Sequence, residues 1–291
     1  MAATRIEQPV LSGYSRRHDT ARLATVLGPG HSVMTTDTAT RSVGLLLREW
    51  RERRHLSQLD LSLQAEISTR HLSFVETGRS RPTPEMIVRL TEQLDVPLRE
   101  RNELLLAGGY APRYPEHRLD EPELASVRAA LRSVLVAHGQ NPALIINRWW
   151  EVVDSNQAIG VLVDGCSATL LEPPVNVLRL SLHPDGMATR IVNLGQWRAH
   201  LLAQLHHRAE RTNDARLRDL ESELLAFPGP DSGVPAASDV ILPLRLRVGD
   251  AELSFFSIAA AVETAGDVTV SELVIEAFYP ADAATAAALR S

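Results

Sequence analysis

Between Ser42 and Gly109 apolar residues recur at helical spacing in short bursts, each closed by polar or turn-forming residues. Val43, Leu46, Leu47 and Trp50 share one helical face through Arg54. A second helix begins at Leu56-Ser57-Gln58 and carries Leu59, Leu61 and Leu63. Glu66-Ile67 predicts a tight connection to a third helix over Ser68–Thr77, capped by Ser68 and ended by Gly78. After the loop Arg79-Ser80-Arg81-Pro82, Thr83 as cap and Pro84 at the first position open a fourth helix. Its apolar face is Met86, Ile87, Leu90 and Leu94, and Asp95-Val96-Pro97 breaks it. Leu98–Ala107 is a fifth helix ending at Gly108-Gly109. Five short helices in so little chain predict one all-α module over 41–109.

The pattern then changes. Residues 110–122, with Pro112 and Pro115, read as a linker, and Glu123–His138 as a helix. Ala143–Asn147 and Glu151–Asp154 read as short strands, followed by helical pieces over Gln157–Val163, Val175–Leu182, Leu194–Arg211 and Ala215–Ala226. Pro228–Pro235 is a loop. Val240–Val248, Leu253–Val262 and Val268–Phe278 alternate as strands of a meander. Residues 123–291 are thus expected to form an α+β domain with a curved antiparallel sheet. Residues 1–40, rich in small and polar residues with little periodicity, read as a flexible arm.

Composition narrows the class. At 291 residues the chain exceeds the usual ~100–200 per domain, so two domains are expected. No apolar run approaches the ~20 residues that span a bilayer, and Arg5–Arg22 has no apolar centre like that of a signal peptide. The single cysteine, Cys166, excludes an internal disulfide and fits a reducing cytoplasm. Net charge is −6, yet all 30 basic residues are arginine, whose rigid fork suits phosphate and guanine. Lysine avoidance is also what a GC-rich genome gives.

Leu56-Ser57-Gln58 and the run Ser68-Thr69-Arg70-His71-Leu72-Ser73-Phe74-Val75-Glu76-Thr77-Gly78 resemble the Cro/lambda-repressor-like helix-turn-helix of the xenobiotic-response-element type. Such a unit packs two helices across a tight turn, a role suited to Leu59, Leu63, Ile67, Leu72 and Val75, and leaves a polar face for the major groove. The resemblance implies that Ser68, Thr69, Arg70, Ser73 and Phe74 meet the DNA, with Arg70 able to read guanine and Phe74 a thymine methyl. Ser57 and Gln58 with Arg79 and Arg81 are expected to hold phosphates. One departure is Glu66, where glycine is common, which predicts a strained or helical backbone. The alternative for all of these is the ordinary surface of a helical bundle.

The remainder resembles the MmyB-like transcription regulators, most closely at Glu172-Pro173-Pro174-Val175-Asn176-Val177-Leu178-Arg179-Leu180-Ser181-Leu182-His183-Pro184-Asp185-Gly186-Met187. The resemblance implies a PAS-like domain that encloses a fatty-acid-like ligand and modulates DNA binding. Candidate lining residues are Trp149, Leu178, Leu182, Phe255, Phe256 and Ile258, with Arg179 or His183 as anchor for a carboxylate. The competing readings are a Leu/Phe core and a structural ion pair at Arg179. Partners are double-stranded DNA, a small apolar ligand and a second copy of the chain, because paired half-sites lie roughly 34–36 Å apart. No cofactor is required and no membrane is involved. The rivals are a ligand-free dimerisation platform and an enzyme, and for the latter no catalytic constellation can be assembled from the second half.

Overall fold

The computed structural model describes residues 42–212, 214–230, 241–262 and 265–290. The arm expected over 1–40 lies outside them, as do Val240 and residues 231–235 of the expected loop.

The first helices owe their starts to side-chain caps. Ser42 caps α1 (Val43–Arg53), and Ser57 opens α2 (Gln58–Gln64) with a capping box shared with Asp60. Ser68 caps α3 (Thr69–Glu76) and Thr83 caps α4 (Pro84–Gln93), while α5 (Leu98–Ala107) follows Pro97 without a side-chain cap. Each such cap is worth ~1 kcal/mol because it satisfies an amide that the helix itself leaves free. The five helices close on Leu47, Leu61, Leu72, Ile87, Leu90 and Leu104, all buried.

One local detail differs from expectation. Leu59 and Leu63 do not pack: they are 56% and 70% exposed. With 3.6 residues per turn, burying Leu61 and Ala65 turns Leu59 and Leu63 to solvent. At the α2–α3 connection Glu66 adopts φ +54°, left-handed and so the strained one of the two backbones expected there. Behind it α1 lies almost on α3, since a Cβ at Gly44 would fall 2.1 Å from the Val75 carbonyl oxygen.

After α5 the chain is fastened rather than loose. The Asn102 side chain accepts from the amides of Arg113 and Tyr114 and donates to the Tyr114 carbonyl. Further on, the Pro115 carbonyl accepts from Val268, and His117 binds Asp267 through both its amide and its ring.

Beyond lie α6 (Ala125–Ala137), β1 (Ala143–Ile146), β2 (Val152–Ser155), α7 (Gly160–Val163), α8 (Val177–Leu182), α9 (Leu194–Thr212) and α10 (Ala215–Ala226). The chain ends in β3 (Leu244–Val248), β4 (Ala251–Ala261), α11 (Val268–Ser271), β5 (Val274–Pro280) and α12 (Ala283–Ala288). The strands make one antiparallel sheet in the order β2-β1-β5-β4-β3. The last expected strand is shorter than Val268–Phe278. Val268–Ser271 turns instead as a helix, because Asp267 caps it by accepting from the Val270 amide.

Residues directly opposite in an antiparallel pair share a face. Leu144, Ile146, Val274, Phe278, Leu246, Leu253 and Phe255 therefore form one face, and they pack with Trp197, Leu201, Leu205 and Leu220 of α9 and α10. Ala143, Ile145 and Ala277 form the other, covered by Leu131 and Leu135 of α6. The curved five-stranded antiparallel sheet with helices on both faces is the α+β architecture expected.

Candidate nucleic-acid interface and ligand domain

The exposed side of α3 is prepared by the residues beneath it. Glu76, buried at its end, accepts two bonds from the Arg51 guanidinium at 2.7 and 2.8 Å and a third from the Gln58 amide at 2.8 Å. This network ties α1, α2 and α3 into one rigid unit. Ser62 and Thr69 share a hydroxyl bond of 2.8 Å that fixes the helix-to-helix angle.

On that frame Arg70 is exposed, with its guanidinium 5.3 Å from the Phe74 ring centre; Arg79 approaches the same ring at 5.9 Å. Two cations thus border one half-buried aromatic on the same surface. Ser68 and Ser57 are exposed at the two helix starts, and Ser73 is half-buried. Gln58 and Thr69 hold neighbouring helices with their polar groups, so they act as bracing for the surface. Arg81, expected on phosphate, is held elsewhere: its guanidinium donates to the Gly108 carbonyl at 2.7 Å and lies over Tyr110 at 5.2 Å.

The residues expected to line one apolar pocket do not come together. Leu178, Leu182 and Phe255 are core, exposed by 2%, 1% and 0%. Phe255 and its neighbour Phe256 point to opposite faces of β4, because side chains alternate along a strand. Phe256 stacks on Tyr279 on the α6 side, and Ile258 on that same side is exposed. Both expected anchors are occupied. Arg179 makes a two-point pair with Glu223 at 2.6 and 2.7 Å, and His183 accepts from the Asp185 amide. Trp149 donates its indole N–H to Asp214 while Arg216 covers its ring at 4.6 Å. A cavity of about 180 Å³ lies among Trp149, Arg179, Arg216 and Glu223, and Leu217 and Leu220 add apolar wall to these polar groups.

Two groups that the sequence reading missed lie on the helix-covered sheet face. Glu276 of β5 sits directly opposite Leu144 and Ala259. Burial pushes its carboxyl up to about 7, opposed by the charge of Arg208. Arg208 itself, on α9, holds its guanidinium carbon over buried Trp150, 3.7 Å from the ring centre. Burial, with Arg211 as a like charge, brings it down to about 10, so it remains charged at neutral pH.

A second missed cluster joins the helical region to the sheet. Arg148, in the β1–β2 turn, pairs with Glu100 of α5 at 2.7 Å, with Glu272 at 2.7 Å and with Asp214 at 3.3 Å. Arg99 of α5 reaches Glu272 as well, at 2.8 Å. Burial raises the Glu100 carboxyl against the pull of Arg148, and one oxygen of Glu100 has no hydrogen-bond partner.

A capped, rigidly braced helix-turn-helix joined to an α+β domain is the two-part build of a DNA-binding regulator. Family comparison agrees on both halves. Residues 47–101 match the helix-turn-helix model, and residues 127–291 match the MmyB-like transcription regulator ligand binding domain. The chain belongs to the MmyB-like transcription regulators. No curated protein matches the sequence. Among solved structures it is similar to an RNA-binding light-oxygen-voltage receptor at 13% identity and a TM-score of 0.26, too low to support an argument. That match covers 88% of this chain and 61% of the other. Among the described residues no helix is long and apolar enough to cross a membrane.

Proposed function

We propose that this regulator reads a specific duplex sequence in the cytoplasm through the start of α3 and adjusts its grip on DNA when an apolar acid, such as a fatty acid, occupies its PAS-like domain. The observation that carries the reading is the exposed Arg70 beside Phe74, on a helix braced from behind by the Arg51–Glu76–Gln58 network. Arg70 is assigned to a base edge, Phe74 to a thymine methyl, and Ser57, Ser68, Ser73 and Arg79 to the flanking backbone. Arg81 and the amide of Gln58 have protein partners and are left out of the contact set.

The working units are 41–109 for DNA and 123–291 for the ligand, joined through 110–122. The active form on DNA is a dimer, since one such helix reads one half-site. Ile258 and Val134, exposed by 51% and 40% on the α6 side of the sheet, support a contact with the second copy there. A ligand shifts DNA affinity only through unequal affinity for two conformations. The Arg148 cluster is the route assigned, as it contacts α5 and the sheet domain at once.

A second reading, a ligand-free dimerisation platform, is favoured by the packed state of Leu178, Leu182 and Phe255. Mass spectrometry of a solvent extract of the purified protein separates the two. A co-purified acid at near-equal stoichiometry is expected; a lipid-free extract, with no thermal shift on adding long-chain acids, would leave the platform.

A further inference from the structure

The helix-covered face of the sheet is not uniformly filled. At one end Leu253 and Phe255 are buried, but further along the same face of β4 the side chains shrink to Ser257, Ala259 and Ala261, all exposed. Glu276 stands beside these small residues, directly opposite Ala259. Its carboxyl makes no hydrogen bond or ion pair with any described residue.

Arg208 overlooks the same face. It belongs to the inward stripe of α9, between buried Leu205 and Ala209. A guanidinium carries five N–H donors. Among the described residues the Arg208 guanidinium makes one long bond, 3.4 Å to the Arg148 carbonyl, and no carboxylate pairs with it. Its guanidinium carbon lies over the Trp150 ring, 3.7 Å from the centre. Arg148 and Arg211 act on it as like charges, and Glu276 is the acid acting on it. Arg148 is already surrounded by Glu100, Glu272 and Asp214, whereas Arg208 has no carboxylate paired with it. A carboxyl and a guanidinium on facing elements that do not close on each other leave Arg208 without a carboxylate of its own.

We infer that Arg208 and Glu276 form the head-group site for a carboxylate-bearing apolar ligand, with the Arg208 fork taking the carboxylate and protonated Glu276 donating a hydrogen bond to it. The inference rests on the reading that this domain holds an apolar acid, and it moves the anchor away from Arg179 and His183. The anion neutralises a desolvated cation, while the proton on Glu276 removes the charge that would repel it. Affinity therefore falls as pH rises and Glu276 ionises. The head group also competes for the donor that Arg208 gives the Arg148 carbonyl, which links the site to the pair Arg148–Glu100 on α5.

The test uses the full chain and three probes of one chain length: dodecanoic acid, dodecan-1-ol and dodecylamine, titrated by calorimetry. The acid is expected to bind about tenfold or more tightly than the alcohol at pH 6. Arg208→Gln should bring the acid down to the alcohol and leave the alcohol unchanged. Arg208→Lys, which keeps the charge without the fork, should fall between, and thermal melts confirm that both variants fold. Glu276→Gln should keep the acid's affinity and flatten its decline from pH 6 to pH 8. Equal binding of acid and alcohol, tighter binding of the amine, or an unchanged Arg208→Gln would overturn the head-group assignment while leaving an apolar-ligand domain in place. Binding of none of the three ends both.

Discussion

The helical region from α1 to α5 and the sheet region after it handle charge in opposite ways. Around α3 the buried charges are matched: Arg51 meets both oxygens of Glu76, and Gln58 supplies one more bond. On the helix-covered face of the sheet, Glu276 and Arg208 remain apart, and burial pushes each toward its neutral form. A matched buried network gives a rigid surface, suited to presenting Arg70 in a fixed position. An unmatched pair leaves an electrostatic deficit that a ligand can relieve. One region is therefore built to hold its shape, the other to respond.

The largest effect is expected from breaking the matched network. Glu76→Ala leaves the Arg51 guanidinium buried and unpaired, which costs about 3–5 kcal/mol by chemical denaturation. A loss below about 1 kcal/mol would mean that the network does not brace the helices. Next comes the surface it supports. With an operator found by selection from random duplexes, Arg70→Ala should weaken that site by about 1–3 kcal/mol and random DNA far less. An equal loss on both would make Arg70 a phosphate contact.

The smallest effect tests the unmatched side. Glu276 holds its proton more tightly when folded, at about 7 against the ordinary 4.5. The native state therefore binds more protons between those values, so stability falls as pH climbs through that window. Glu276→Gln has no charge to bury. It should match the parent near pH 4 and exceed it by roughly 1–3 kcal/mol at pH 8. A constant difference across pH would show that Glu276 is paired in solution.

Much of the helical region was legible because its signals are local. A Ser cap, a Pro at the first turn and apolar residues at helical spacing act within one or two turns of chain, and the helix starts at Ser57, Ser68 and Thr83 fall where those signals put them. The misreading of Leu59 and Leu63 came from counting leucines without knowing which stripe α1 and α4 would cover. In the sheet region, β-branched residues at Val268 and Val270 suggested a strand, and the Asp267 cap made a helix. Proximity in sequence groups Phe255, Phe256 and Ile258, but strand alternation sends Phe255 away from the other two.

The candidate ligand chemistry divides in the same way. That Arg179 and Trp149 are occupied depends on Glu223 and Asp214, each more than forty residues away along the chain. Glu276 and Arg208 carry no motif, and only the packing of α9 across the sheet brings their charges within reach of each other. By itself the sequence determined the helix-turn-helix, its caps and its exposed arginine, because those follow from interactions over a few residues. Which charges are matched and which are left facing each other was decided by the tertiary structure, since desolvation and pairing are properties of the surroundings and not of the residue.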